Sequence, residues 1–217
     1  MTIALLCPTR GRPREFARMC ESVKRTSSAR NIETYPASNG NDDYAMYQFP
    51  IDISTAYMWN KLAAMVLKDR PHIKLFMLAA DDMVFTTPCW DTALLDHYNA
   101  LENKIHVYHL RDSRNPDGTP HPIVTREYIE AMGYFLPPIF LHWFIDSWTV
   151  DIAKSNGVFT HLKDYELQHI KPSDKGQGDE THNRIRNMGW RERDGWVAEK
   201  CKHYLALEKS RLKMMLA

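Results

Sequence analysis

Residues 73–84 read IKLFMLAADDMV, an apolar run that stops abruptly at two adjacent carboxylates, Asp81 and Asp82. So short a run also suits a helix, but Pro71 just before it and Pro88 just after it favour a compact strand buried in a parallel sheet. Two aspartates where a buried strand emerges are costly unless something positive compensates them. Hard divalent cations take carboxylate oxygens and bridge to substrate phosphates, and ligands of open α/β sheets bind outside the carboxyl ends of the strands. The pair therefore sits where a metal–nucleotide site is expected, although a lone aspartate pair also reads as a solvated turn at a strand end.

The elements around this strand alternate. Residues 2–8 read as a first strand, and Arg12-Pro13 starts a helix, proline being well tolerated in a first helical turn. Phe16, Met19, Cys20 and Val23 follow the spacing of a buried helical face. Residues 31–38 suit a short strand, followed by the polar turn NGNDD and an extended piece over 47–51. Ser54 or Thr55 caps a second helix whose inward face is Trp59, Leu62, Ala63 and Val66. After the Asp-Asp strand, Trp90, Leu94, Tyr98 and Leu101 mark another helix, and Ile105, Val107 and His109 an alternating strand. Strands and helices alternating in this way predict a mostly parallel sheet flanked by helices.

The pattern then loosens into the turn-rich loop 111–122, a short helix over 127–132, an aromatic cluster over 140–148 and the polar stretch 171–181. Trp196, Val197, Cys201, Tyr204, Leu205 and Leu212 predict a C-terminal amphipathic helix.

Composition excludes more than it selects. A chain of 217 residues, 44% hydrophobic, buries one substantial core, so a single domain over 1–217 is the expectation. A net charge of +1 argues against strong nucleic-acid attraction or a polyacidic partner. No apolar stretch is long enough to span a membrane, and the opening MTIALLCPTRGRP reads as a strand rather than a signal peptide. Four scattered cysteines suggest reduced thiols and a cytoplasmic setting.

CPTRGRP, then WNKLA, AADD, GYFLPP, HWFID and LQHIKP, in that order, resemble glycosyltransferases of the GT-A fold. The nearest likeness is to the inverting family 2 type, including small members encoded by phages and bacteria, over roughly residues 1–185. The resemblance implies a nucleotide-binding half over 1–110, an acceptor and catalytic half over 111–185 and a helical extension over 186–217.

It also implies site roles. Asp82 would hold Mn2+ or Mg2+ against the donor diphosphate, and Asp81 would contact the donor's ribose or sugar; Ala80 stands where many relatives carry a third aspartate. Pro8, Thr9, Arg10 and Arg12 would line the base and phosphates, where guanidinium groups match phosphate oxygens. Asp42 or Asp43 would bond a uracil ring, and Asn60 and Lys61 would face the donor. Asp146, in FIDSW, would be the general base, its place in a first helical turn favouring the carboxylate. His169 would complete the metal shell, with His142 and His182 as rivals, and Lys171 and Lys175 would sit on a segment that closes over the donor.

The implied activity is metal-dependent transfer of a sugar from a UDP-sugar to an acceptor hydroxyl with inversion. The acceptor stays open between a soluble glycan and a modified base in phage DNA; Arg184, Arg186, Arg191 and Arg193 suit the latter but are interleaved with acids. Trp143, Phe144, Trp148 and Trp190 can stack on a ring or fill the core. The competing classes are a phosphoryl-transfer enzyme, such as a nuclease or nucleotidyltransferase using carboxylates to hold paired metals, and a nucleotide-binding protein without turnover.

Overall fold

A computed structural model describes the chain except Asp52, Asp117, Thr119, residues 171–179 and the side chain of His182. Its centre is an eight-stranded sheet in the order β3-β2-β1-β4-β7-β6-β8-β5. The strands are β1 (Thr2–Thr9), β2 (Ile32–Ser38), β3 (Tyr47–Gln48), β4 (Ile73–Leu78), β5 (Met83–Phe85), β6 (Val107–Asp112), β7 (Ile123–Thr125) and β8 (Phe159–His169). The helices are α1 (Pro13–Thr26), α2 (Thr55–Asp69), α3 (Trp90–Ala100), α4 (Arg126–Met132), α5 (Ile145–Ser155), α6 (Glu180–Asn187), α7 (Trp190–Lys200) and α8 (Lys202–Leu216).

The apolar runs of β1 and β4 follow from burial on both faces of the sheet. Side chains alternate along a strand, so Ile3, Leu5, Leu75 and Met77 pack beneath Met19 and Val23 of α1 and Trp90, Leu94 and Tyr98 of α3. Ala4, Leu6, Phe76 and Leu78 face Trp59, Leu62, Ala63 and Val66 of α2. Each such side chain taken fully from water stabilises the fold by about 1.5–3 kcal/mol before chain entropy is counted. Pro13 stands in the first turn of α1. Ser54 is the residue that caps α2, its hydroxyl accepting from Tyr57 N at 3.2 Å.

The sheet departs from the sequence reading in three places. The apolar run forms its strand and ends at Leu78, short of the aspartates as expected, but after a turn residues 83–85 form a separate strand antiparallel to β8. The short β7, antiparallel to both β4 and β6, lies between them. Strand β6 does not keep one wet face: Tyr108, His109 and Leu110 are all buried, because the strand is covered on both sides. The single C-terminal helix is two, α7 and α8, meeting at Cys201. Tyr134 donates to Glu208 at 2.5 Å and Asn156 to the Lys209 carbonyl, which ties α8 across the neighbouring helices. Val197 and Leu212 are buried as expected, whereas Trp196 is exposed.

One consequence of this topology positions everything that follows. Strands β1 and β4 are parallel; the intervening β7 reverses direction and β6 reverses it again; β8 is parallel to β6. The carboxyl ends of β1, β4, β6 and β8 therefore open on one rim, carrying Thr9, Ala79 to Asp82, Asp112 and His169. Among the described residues no helix is long and apolar enough to cross a membrane.

Candidate functional site

A cleft of about 810 Å3 lies over that rim. Its floor is built where β1, β4, β6 and β8 end, and its walls come from the loop before α1, the loop before α5, and α6. Three groups of side chains occupy it.

The first group centres on Asp81, which is almost fully buried. Thr9 Oγ1 donates to one carboxylate oxygen at 2.6 Å, and Arg12 Nη1 lies 3.0 Å from the other. Burial pushes the Asp81 carboxyl up to about 6, with Arg12 opposing and neighbouring Asp82 adding to the rise. The buried carboxylate is thus matched by a partly buried guanidinium, and the pair fixes the CPTRGRP turn to the loop after β4. Asp42 performs a related task at the rim, accepting from the Gly11 N–H at 3.0 Å and from the Ser38 hydroxyl at 2.5 Å. Gly11 stands at φ +62°, where a side chain is strained.

The second group surrounds His169. Antiparallel pairing of Met83 with His169, together with Ile170 N donating to the Asp82 carbonyl at 2.8 Å, brings the end of β8 beside Asp82. His169 Nε2 lies 3.1 Å from Asp82 Oδ1, but that oxygen stays buried without an aligned hydrogen-bond donor. On the other side, His169 Nδ1 is 3.8 Å from Asp112 Oδ2. Burial works to raise the Asp82 carboxyl, yet His169, His121 and Arg12 together hold it below the ordinary aspartate range. His121 packs edge-on to His169 with ring centroids 4.9 Å apart. Burial and neighbouring His169 push the His121 imidazole down to about 3, the Asp82 charge opposing. One ligand atom from each of Asp112, His121 and His169 falls within 4.8 Å of the others. Two imidazoles and a carboxylate converging in this way form a donor set suited to a divalent metal.

The third group forms the opposite wall. Asp146 stands in the first turn of α5 beside Phe144, which adopts φ +67°. The residue is half-buried, and the protein packed around its carboxyl raises it above the ordinary aspartate value, against the N–H groups of Ser147 and of Asp146 itself. Trp143, Phe144 and Trp190 line the cleft next to it. The loop that presents Trp143 and Phe144 is held from below by Asp194 on α7, a wholly buried carboxylate. It accepts from three consecutive backbone N–H groups, those of Leu141 (3.0 Å), His142 (2.8 Å) and Trp143 (3.0 Å), and from Arg193 at 2.8 Å. Asp194→Ala strands these donors, each buried unpaired polar group costing about 1–3 kcal/mol. Denaturant melts of that variant are expected to show roughly 2–5 kcal/mol lost.

Pro8, Thr9, Arg10, Arg12, Asp81, Asp82, Asp146 and His169, far apart in sequence, all line this one cleft. Four others do not. Asn60 faces away from it and clamps a loop, accepting from Phe135 N and Leu136 N and donating to the Leu136 carbonyl. Lys61 is an exposed residue of the same helix, and Asp43 is exposed at the β2–β3 turn. Asp42 is spent on the turn described above, and Asn39, not an acid, faces the cleft after β2. His142 reaches the cleft but stacks on Trp59 and meets Trp143 edge-on, apart from the His169 group. Lys171 and Lys175 lie outside the described residues, as does the His182 side chain.

Sequence reading missed Asp112, His121 and Asp194. Asp112 ends β6 behind His109 and the exposed Arg111, so no unbroken apolar run marks it as one marks Asp81. His121, between two prolines, enters the site only because the Pro122 carbonyl accepts from Leu78 N. Further along, Thr181 on α6 donates to the Arg10 carbonyl at 2.8 Å, and Arg184 bonds the Ile51 carbonyl, so α6 forms a wall over the loop before α1.

No protein-family model and no curated protein sequence matches the chain. Solved structures do. S. aureus TarS 1–349 superposes with TM-score 0.58 at 12% identity, covering 81% of this chain and 62% of that one. The same TarS segment in complex with UDP gives 0.55 at 12% identity, again over 81% and 62%. Drosophila β1,4-galactosyltransferase 7 complexed with xylobiose gives 0.49 at 14% identity, over 82% and 74%. The chain spans about three fifths of the length of the TarS segment. Likeness at this identity establishes the fold, which is GT-A: a curled mixed sheet flanked by helices.

Proposed function

We propose that the protein is a metal-dependent glycosyltransferase that moves a sugar from a UDP-sugar to an acceptor hydroxyl with inversion at the anomeric carbon. The observation that carries this reading is that Asp146 and the Asp82–His169 pair line one cleft, with Arg10 and Arg12 beside them. A similar fold, that of TarS 1–349, has been captured with UDP, which supports the choice of donor.

The residues divide the work by chemistry. Asn39 and Pro8 border the place for the base, while Arg10 and Arg12 hold the diphosphate oxygens through charge-assisted hydrogen bonds. Asp82 and His169 would hold the divalent cation, whose chemistry is to accept charge developing on the departing diphosphate. Trp143, Phe144 and Trp190 offer faces on which sugar rings stack and from which water is excluded. Asp146 accepts the proton of the acceptor hydroxyl as its oxygen forms the new bond to the anomeric carbon. The bond from that carbon to the diphosphate breaks on the opposite face, so configuration inverts and the electron pair leaves with UDP. In-line displacement requires the base and the leaving group on opposite sides of the anomeric carbon.

Thermal melts against matched nucleotides test the donor assignment. At about 100-fold excess over Kd, a ligand that binds only the folded state adds roughly 2.7 kcal/mol. For a domain of this size UDP with Mn2+ is then expected to raise Tm by about 5–10 °C. Stronger stabilisation by GDP or CDP would contradict the uridine reading, and nucleic-acid cleavage without UDP release would replace it with phosphoryl transfer.

A further inference from the structure

We propose that His121 and Asp112, with His169, are inner ligands of the metal, giving a two-histidine site that selects transition metals over Mg2+. This rests on the glycosyltransferase reading only for the metal's role; its location is argued from the residues below.

His121 is the feature that needs explaining. It is 5% exposed, and neither ring nitrogen makes a hydrogen bond. The Leu78 backbone lies close to the ring but outside hydrogen-bonding geometry. A buried imidazole without a well-formed hydrogen bond costs free energy. Its backbone stands at φ +62°, in the left-handed region that His, Asn and Asp enter more readily than other non-glycine residues. The residue lines the cleft, and its ring meets that of His169 edge-on.

Asp112 supplies the counterpart. It is 1% exposed at the end of β6, and one carboxylate oxygen turns the following loop by accepting from Arg114 N at 2.8 Å. The other, Oδ2, faces His169 at 3.8 Å, too far for a hydrogen bond but suited to two atoms sharing an ion between them. Asp82 Oδ1, buried and without an aligned donor, approaches the same histidine from the far side. One ligand atom each of Asp112, His121 and His169 thus converges within 4.8 Å of the others, while Asp82 stands at the opposite nitrogen of the His169 ring.

Ligand type then predicts the ion. Mg2+ and Ca2+ favour oxygen ligands, whereas imidazole suits Mn2+, Fe2+, Co2+ and Zn2+. A site with two imidazoles should follow the order Mn2+ below Co2+ below Zn2+ and hold Mg2+ on the order of ten-fold or more weaker than Mn2+.

The test is pulsed EPR on Mn2+ bound to the nucleotide-free protein, which counts directly bonded imidazole nitrogens, together with calorimetric titration of Mn2+, Co2+ and Mg2+. The expected result is two nitrogens in the wild-type protein and one in His121→Asn, with Mn2+ affinity lower by about 10-fold or more. Asparagine is chosen because it tolerates positive φ. One imidazole nitrogen or none in the wild type would overturn the proposal, and so would Mg2+ binding as tightly as Mn2+. Because nucleotide is absent, failure of the sugar-transfer reading leaves these outcomes unaffected. A one-nitrogen site would likewise leave Asp82 and His169 in place while removing His121.

Discussion

Asp82→Asn abolishes Mn2+-dependent binding of UDP while the protein stays folded. The carboxylate is buried at the end of β4, with one oxygen against His169 Nε2 and no aligned hydrogen-bond donor. The amide is nearly the same size, so packing survives, but it carries no charge and offers a weaker oxygen ligand. Loss of an outer-shell partner of a metal ligand alone costs about 10–100-fold in affinity, and loss of an anionic ligand should cost at least the upper end of that range. Arg10 and Arg12 remain, so weak metal-independent binding of the diphosphate persists. Calorimetry of UDP with and without Mn2+ reads both terms. Unchanged metal-dependent affinity in a folded Asp82→Asn protein would remove Asp82 from the site.

Asp146→Asn slows turnover on the order of 10²-fold or more, the scale of a general base's contribution, and leaves UDP affinity close to normal. The separation follows from the architecture: the residues proposed to hold the donor follow β1, β4 and β8, while Asp146 belongs to α5. The sign of the pH dependence follows from the same residue. A base works when deprotonated, and burial raises the Asp146 carboxyl against the opposing Ser147 N–H. Activity of the wild type should therefore fall as pH drops through a value above the ordinary aspartate pKa of about 3.9, and Asp146→Asn should lose that acid limb. Steady-state rates across pH, with nucleotide affinities measured in parallel, check both points. A folded variant with near-normal turnover would end the assignment, as would an unchanged acid limb.

The parts of this molecule that could be read from sequence were those governed by local pattern. Residues of β1, α1, α2 and β4 announce themselves through period and capping, because packing on both faces of the sheet demands unbroken apolar runs. The AADD signal was legible for the same reason: charge at the end of a buried strand is conspicuous. Strands β5 and β7, of three residues each, carry no pattern of their own, and their pairing is set by partners distant in sequence. Asn60 and Asp42 misled because a polar residue near a cleft motif has two uses. Both turned out to satisfy backbone N–H groups instead. Asp194 was hidden within the basic stretch RERDGW, since the N–H groups that need it lie about fifty residues earlier in the chain. Its burial becomes evident only once α7 is packed against the loop before α5.

Time-resolved proton NMR of the protein with Mn2+ and a panel of α-linked UDP-sugars tests the central claim most directly, because it reports bond cleavage and anomeric configuration together. The predicted result is release of UDP from at least one donor only when a divalent cation is present, with the first-formed sugar product in the β configuration. Release of a first-formed α product would contradict inversion and the role of Asp146. No UDP from any nucleotide sugar, in a protein that binds UDP and Mn2+, would contradict glycosyl transfer itself.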